Sequence, residues 1–290
     1  MATFFTDLKQ HFSQGNALKR LIIVNAVLFV SISLLEVIGQ LFQIRGLAFT
    51  PYLSISSLPS GLLAQPWAIL TYMFMHHDIW HIVFNMLWLF WFGALFIQLF
   101  TEKQLVALYI YGGIAGALLY VVVYNTFPFF AGKTSTMVGA SASVLAIVCA
   151  TAMRTPDYTM RFLFIGDVKL KYIAIATIIF DLLGVTSDNA GGHWAHLGGA
   201  AIGCIFVLLL KNGTDITKGL NLVLDNIMTL TRPKPKMKVT YKRAESDNDF
   251  KVRKNQDHTQ LDAILDKLKR SGYGSLNPEE KKFLFDASKK

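Results

Sequence analysis

Two residues of this sequence, Ser141 and His196, have the chemistry of a nucleophile and its general base. Both lie in runs that are too apolar for an ordinary soluble protein, and small residues surround each of them. A hydroxyl or an imidazole in such a segment costs free energy unless it has a partner or water. On its own, the tetrapeptide Gly139-Ala140-Ser141-Ala142 is explained more simply by helix capping or by small-residue packing than by catalysis. Ser141 and His196 can therefore act as a catalytic pair only if the helices that carry them bring the two side chains together.

Two further polar residues, His81 and Asn85, are four positions apart, which places them on one face of a helix. Each can donate a hydrogen bond to a developing oxyanion. The alternative interpretation is a polar contact between packed helices. Ser143 is the second candidate nucleophile, and His76 is expected to pack the loop before His81.

The composition indicates a membrane protein. Of 290 residues, 53% are hydrophobic and only 16% are charged, whereas soluble domains carry about 25% charged residues. Six segments are long and apolar enough, or nearly so, to cross a bilayer as helices. They are 21–42, 80–99, 105–127, 141–153, 170–185 and 193–210. We therefore predict an all-α polytopic membrane protein, a six-helix bundle followed by a small helical tail.

The positive charge orients these spans. Most of the 28 lysines and arginines follow Leu210, and the others lie mainly beside spans one, three and five on the same side. The positive-inside rule then places both termini in the cytoplasm. His81, Asn85, Ser141 and His196 all fall near the outer end of their spans. Because most basic residues lie in the tail and much of the rest flanks spans, the net charge of +9 indicates contact with the lipid bilayer and no nucleic-acid partner.

The same pattern divides the chain into four parts. We predict a cytoplasmic N-terminus over 1–20, a six-span domain over 21–210, an interfacial helix and basic linker over 211–255, and a small cytoplasmic helical module over 256–290. The long outer connection between spans one and two is rich in aromatic residues and leucines, which favours a loop that packs on the membrane surface.

Small residues predict close contact between spans four and six. His196 is followed by Gly199 and Gly203, and span four carries alanines at every fourth position from Ala142. Two such stripes let helix backbones approach closely. A hydrogen bond between Ser141 and His196 requires this proximity.

A metal site is the rival interpretation of the histidines, because five of the seven lie on the predicted outer side. No His-Glu-x-x-His pattern occurs and carboxylates are scarce there. We therefore expect no metal and no cofactor.

The in-span carboxylates Glu36 and Asp181 are expected to have a helix or interface partner and no catalytic role. With no third member evident, the site is predicted to be a dyad.

In order along six spans, these motifs resemble the rhomboid family of intramembrane serine proteases. The matching residues are His76, His81, Asn85, Gly139, Ser141, His196, Gly199 and Gly203. The resemblance implies a Ser141–His196 dyad with an oxyanion hole formed by His81, Asn85 and the Ser141 backbone N–H. It also implies a bacterial enzyme of the cytoplasmic membrane, opening to the outer side, that cleaves transmembrane protein substrates.

Three residues depart from the family pattern. Many members have an arginine where this chain has Ala68, and several have an aromatic residue where it has Leu145; Ser143 stands where a small apolar residue is common. Two other functions stay open. The chain could be a rhomboid-like pseudoprotease that binds membrane proteins without cutting them, or a transporter lined by histidines.

Overall fold

The computed structural model describes residues 15–162, 166–231 and 247–288. Within these ranges the protein is mostly helical, with twelve α-helices and two short two-stranded sheets. Four helices are long and apolar enough to cross a membrane. The predicted class, an all-α polytopic membrane protein, is confirmed.

Six helices coincide with the six predicted spans. They are α1 (Ala17–Leu41), α5 (Ile79–Leu99), α6 (Glu102–Thr126), α7 (Ser141–Arg154), α8 (Leu170–Gly184) and α9 (Ala190–Lys211). Each begins within about one turn of its predicted start. The four long ones are α1, α5, α6 and α9, whereas α7 is a shorter apolar helix. Polar caps fix several starts: the Asp78 carboxylate accepts from the His81 N–H at 2.9 Å, and Thr101 and Gln104 form a capping box on α6.

The connection between α1 and α5 is folded into short elements. It contains α2 (Thr50–Leu53), α3 (Pro59–Ala64) and α4 (Ala68–Thr71), together with the strand β1 (Ile55–Ser56). This strand pairs antiparallel with β2 (Thr136–Met137), just before α7. The sheet therefore ties the connection to the segment that leads into Ser141. A second hairpin, β3 (Thr159–Phe162) and β4 (Gly166–Lys169), joins α7 to α8. Neither sheet was predicted.

Glu36 fixes the start of this connection. One carboxylate oxygen of Glu36, on α1, accepts from the Phe49 N–H at 3.0 Å and from the Thr50 N–H at 2.7 Å. It also accepts from the Thr50 hydroxyl at 2.8 Å. The expectation that this in-span carboxylate has an interface partner is confirmed.

The core lies around α7, which packs against α5, α6 and α9. Eleven of the fourteen α7 residues are buried, from Ala142 to Ala152. Helix α10 (Thr217–Thr231), predicted from its helical spacing, closes the first compact unit. Lys103 at the start of α6 forms an ion pair of 2.6 Å with Asp225, and the Gln104 amide donates to Asp215 at 3.0 Å.

The second compact unit comprises α11 (Asp247–Ser271) and α12 (Pro278–Ala287). The small helical module predicted for this region contains two helices, one on each side of Gly272. The first begins at Asp247, so the module starts earlier than the predicted boundary at 256. Asp247 and Asp249 lie in the first turn of α11, where negative charge stabilises a helix. Most of the predicted basic linker, 232–246, lies outside the described residues.

Candidate active site

Ser141 is the first residue of α7, and its side chain does not cap the helix. The N-cap position belongs to Ala140, which has no side-chain cap. Among the hydrogen bonds of the described residues, none involves the Ser141 hydroxyl. Helix capping, the simple explanation of this serine, is therefore wrong. The first backbone N–H groups of α7 lack intrahelical partners. Donors suited to an anion therefore lie at the same helix end as the Ser141 hydroxyl.

Gly139 shapes the entry to α7. Its φ of 137° is a conformation that other residues rarely adopt. A β-carbon on this glycine would lie 2.9 Å from Cε1 and from Nε2 of His81, and 3.6 Å from the Ser141 hydroxyl oxygen. The His81 ring and the Ser141 hydroxyl thus flank one point of the backbone.

Helices α7 and α9 touch backbone to backbone, as their small residues predict. A β-carbon on Gly199 would collide with the carbonyl oxygen of Ala142, and one on Gly203 would collide with that of Ala146. Ser141 precedes the first of these contacts by one residue, and His196 precedes it by one turn of α9. The two candidate residues therefore stand at neighbouring helix positions. The structure forms no hydrogen bond between their side chains, both of which belong to the described residues.

Ser143 faces in another direction. Its side chain is fully buried, and its hydroxyl lies 3.9 Å from the Met73 sulfur. A β-carbon on Gly113 of α6 would lie 2.9 Å from that hydroxyl. The second candidate nucleophile is thus enclosed between α7, α6 and the segment before α5.

Asp181 has a helix partner, as expected, but the sequence interpretation missed that its partners are two histidines of α9. Its Oδ1 lies 2.8 Å from Nδ1 of His196 and 2.8 Å from Nδ1 of His193, and its side chain is only 4% exposed. The prediction that no acid stands behind His196 is therefore wrong. Two signals were available: a carboxylate inside a span is functional by default, and His193 and His196 share one helix face at a spacing of three.

His81 and Asn85 are held in place by their own helix. The Asn85 amide uses one hydrogen to donate to the His81 carbonyl at 2.8 Å, and the residue is 7% exposed. The His77 N–H approaches Nδ1 of His81 at 3.5 Å, which leaves Nε2 of His81 beside Gly139. His81 also lies close enough to His196 to interact electrostatically.

His76 packs against this group, as expected. Its ring is perpendicular to His81 at 5.1 Å and to Phe29 at 6.4 Å. Both ring nitrogens are buried without a hydrogen-bond partner among the described residues. Burial, and then the neighbouring His81, lower the pKa of His76 from 6.5 to about 4. His76 is therefore a neutral packing residue at physiological pH.

The histidines divide into two groups, which bears on the metal interpretation. His76, His77 and His81 pack on one another. Asp181, His193 and His196 offer ligand atoms within 4.8 Å of each other, a set that could hold an ion. The Nδ1–Oδ1 separations of 2.8 Å suit hydrogen bonds. Ligand atoms around tetrahedral zinc stand about 3.3 Å apart, so the observed contacts are hydrogen-bonding distances.

Two of the three family departures, Ala68 and Leu145, have structural counterparts. Ala68 is 1% exposed, and the neighbouring Trp67 indole donates to the Tyr52 carbonyl at 2.9 Å. The loop thus packs closely where an arginine is common. Leu145 is buried in the core, and the aromatic ring beside His196 is that of His193, at 6.0 Å. His196 is therefore held by Asp181 rather than by a ring on α7.

Comparisons with known proteins agree with this architecture. Residues 63–213 match the Rhomboid domain model, and residues 245–290 match a family of unknown function, DUF6576. The chain is 29% identical over 215 residues to RHOMBOID-like protein 12, mitochondrial, of Arabidopsis thaliana, covering 70% of this chain and 61% of that protein. It is 28% identical to Presenilin-associated rhomboid-like protein A, mitochondrial, of Danio rerio, covering 46% of this chain and 35% of that protein.

A third relative is Presenilin-associated rhomboid-like protein, mitochondrial, of Mus musculus, which is 26% identical over 56% of this chain and 44% of that protein. The chain thus spans less than two thirds of each of these relatives. The Rhomboid match includes Ser141, His196 and the helices α5 to α9 that surround them. This chain belongs to the Rhomboid domain family.

Proposed function

We propose that this protein is an intramembrane serine endopeptidase in which Ser141 is the nucleophile and His196 is the general base. One observation carries the proposal: the backbone contact between Gly199 and Ala142. This contact makes Ser141, at the start of α7, and His196, in the second turn of α9, neighbours. The second support is the Ser141 hydroxyl, which neither caps α7 nor forms a hydrogen bond among the described residues.

The reaction follows from these positions. Nε2 of His196 takes the Ser141 proton as the serine oxygen attacks a peptide carbonyl. The Ser141 backbone N–H, the His81 ring and the remaining Asn85 amide hydrogen stabilise the negative oxygen of the tetrahedral intermediate. His196 then protonates the departing amine, and water hydrolyses the acyl-enzyme on Ser141. The route requires no cofactor and no metal.

The substrates we propose are transmembrane segments of other proteins. A membrane helix satisfies its carbonyls within itself, so cleavage favours residues that weaken the helix near the outer membrane boundary. We propose lateral entry between α5 and α8, as the family resemblance implies. We propose six membrane spans from the apolar runs, and two cytoplasmic termini with an outward-opening site from the lysine and arginine distribution. A bacterial cytoplasmic membrane stays a prediction, since the relatives named above are mitochondrial proteins.

The second candidate function is a rhomboid-like pseudoprotease. It is favoured by one observation, the missing hydrogen bond between Ser141 and His196. Catalytic hydrogen bonds of an unliganded enzyme often form only in the substrate complex, so this observation does not remove the enzyme. The transporter with a histidine lining stays the third hypothesis.

Cleavage in liposomes separates these functions. Wild-type protein is reconstituted with a single-span substrate that carries a helix-weakening segment at one membrane boundary. We expect cleavage by wild type and by Ser143→Ala, and loss of at least about 10³-fold with Ser141→Ala. Binding without cleavage by wild type would indicate the pseudoprotease. Normal cleavage by Ser141→Ala would contradict the proposed nucleophile.

A further inference from the structure

The buried carboxylate behind the candidate base is shared between two histidines. The same oxygen of Asp181 lies 2.8 Å from Nδ1 of His193 and 2.8 Å from Nδ1 of His196. A carboxylate only accepts hydrogen bonds, so each ring must donate from Nδ1. This fixes the tautomer in which Nε2 of His196 carries a lone pair, the form that a base for Ser141 requires.

The two histidines differ in access. The side chain of His193 is 11% exposed and that of His196 is 23% exposed. His193 packs its imidazole against Gly184, where a β-carbon would collide with the ring. His193 is therefore the enclosed donor that fixes Asp181, and His196 is the donor whose other nitrogen can reach a reactant.

Helix α8 has little else to hold its outer half. Of its fifteen residues only Leu170, Ala174 and Asp181 are buried, and the first two lie in its opening turns. Large apolar residues near Asp181 are open, with Phe180 70% exposed and Leu183 80% exposed. A buried carboxylate that lost its partners would be strongly unfavourable. The Asp181 contacts therefore tie this half of α8 to α9.

We propose that Asp181 is a positioning residue of the active site. The inference rests on the proposed function. Asp181 holds His196 with Nε2 toward Ser141, so the base is oriented only while α8 is packed against α9. The arrangement compensates for Leu145, which cannot hold the imidazole by stacking. If α8 moves when a transmembrane substrate enters, base orientation and substrate entry are linked.

Three variants separate charge, shape and simple stability. Asp181→Asn keeps the size and one carbonyl oxygen but removes the negative charge, whereas Asp181→Leu removes every acceptor. Asp188→Asn is the matched control, because Asp188 is an exposed aspartate seven residues further along the chain. Each is assayed in liposomes for kcat and KM on the single-span substrate, and its melting temperature is measured in detergent.

We expect Asp181→Asn to lower kcat by about 10²–10⁴-fold, as for other acids that orient a catalytic histidine, with KM changed less than about threefold. Asp181→Leu should lower kcat at least as much, and Asp188→Asn should match wild type. An Asp181→Asn enzyme with wild-type kcat would overturn the inference. A loss confined to the melting temperature, with kcat kept, would overturn it as well.

A spectroscopic readout needs no substrate and reports directly on the wild-type protein. In wild-type protein labelled with ¹⁵N-histidine, we expect His196, assigned by its loss in His196→Gln, to show a protonated Nδ1 and a bare Nε2. The opposite tautomer would overturn the inference. So would stoichiometric zinc in the purified protein that disappears in Asp181→Asn, because the triplet would then be a metal site.

The proposed function fails separately. If Ser141→Ala cleaves like wild type, the protease mechanism is wrong whatever Asp181 does. If Ser141→Ala is inactive while Asp181→Asn is fully active, the mechanism stands and only the positioning role is lost.

Discussion

Two helices of nearly equal length, α7 and α8, are held in this protein by opposite means. Eleven of the fourteen α7 residues are buried, whereas three of the fifteen α8 residues are. Helix α7 lies against the α9 backbone through small side chains, but α8 presents large apolar side chains outward. In a bilayer, small residues and polar contacts drive helix association. Close backbone contact thus holds the buried central helix, and a polar contact holds the peripheral helix.

The first helix, α1, repeats the α8 pattern. Its buried residues are Leu18, Asn25 and Gly39. The Asn25 amide donates to the Tyr109 hydroxyl at 3.1 Å, and that hydroxyl donates to the Met73 carbonyl at 2.9 Å. Each outer helix thus carries a single buried polar side chain that reaches into the bundle, Asn25 on α1 and Asp181 on α8. Substitutions in the close backbone contact and at the polar side chains distinguish these two kinds of helix attachment.

The largest stability effect is expected at the centre. Gly199→Ala forces a methyl group against the Ala142 carbonyl, so α7 and α9 must separate at the site. We expect a loss of about 3 kcal/mol in the free energy of unfolding, together with loss of cleavage. Gly219→Ala on α10 is the control, since nothing lies within 4 Å of that position; it should be neutral or slightly stabilising. Denaturation in detergent micelles measures both, and equal effects would contradict the close-contact account.

His76 is buried and its ring has no hydrogen-bond partner in the part of the chain that the structure describes, so its effect on stability should depend on pH. The pKa of His76 is about 4 in the folded protein and 6.5 as its ordinary value. The unfolded chain therefore binds a proton more readily, and stability falls as the pH drops from about 6.5 to about 4. The total effect is on the order of 3 kcal/mol.

His76→Phe should reduce this pH dependence, as followed by melting temperature between pH 7.5 and pH 4. His77→Asn should keep it, because His77 is exposed. An unchanged slope in His76→Phe would show that His76 is already charged or solvated in the folded protein.

The polar anchor of α1 should have a moderate effect. Tyr109→Phe leaves the Met73 carbonyl without its donor and removes one Asn25 partner, which costs about 2 kcal/mol. Tyr52→Phe, at an exposed tyrosine, should change stability by less than about 0.5 kcal/mol. Chemical denaturation of the two variants compares them. If they match, α1 is held by lipid-facing packing and not by its anchor.

The smallest effect is expected in the second unit, where a helix start depends on a cap. The Asn277 side chain accepts from the Glu280 N–H at 2.7 Å, and the Glu280 carboxylate accepts from the Asn277 N–H at 2.8 Å. Asn277→Ala should cost about 1 kcal/mol in the full-length protein. Hydrogen exchange of the α12 amides reports it locally, and unchanged protection would argue against a capping role.

The sequence allowed most of the helices and half of the site to be predicted. Continuous apolar runs mark six helices, and the stripe from Ala142 facing Gly199 and Gly203 marks their closest contact. Periodicity does not report how a helix is rotated when nearly all its residues are apolar. Which residues of α9 would contact Asp181 was therefore decided by tertiary packing and could not be read from the sequence. The β1–β2 pairing was missed for a similar reason, because two-residue strands carry no periodic signal.

The most direct test of the central claim is covalent labelling of the purified wild-type protein with a fluorophosphonate probe, followed by peptide mapping. The account predicts modification at Ser141, none at the enclosed Ser143, and loss of labelling in His196→Gln. Labelling at Ser143, or labelling of Ser141 that is unaffected by His196→Gln, would contradict it.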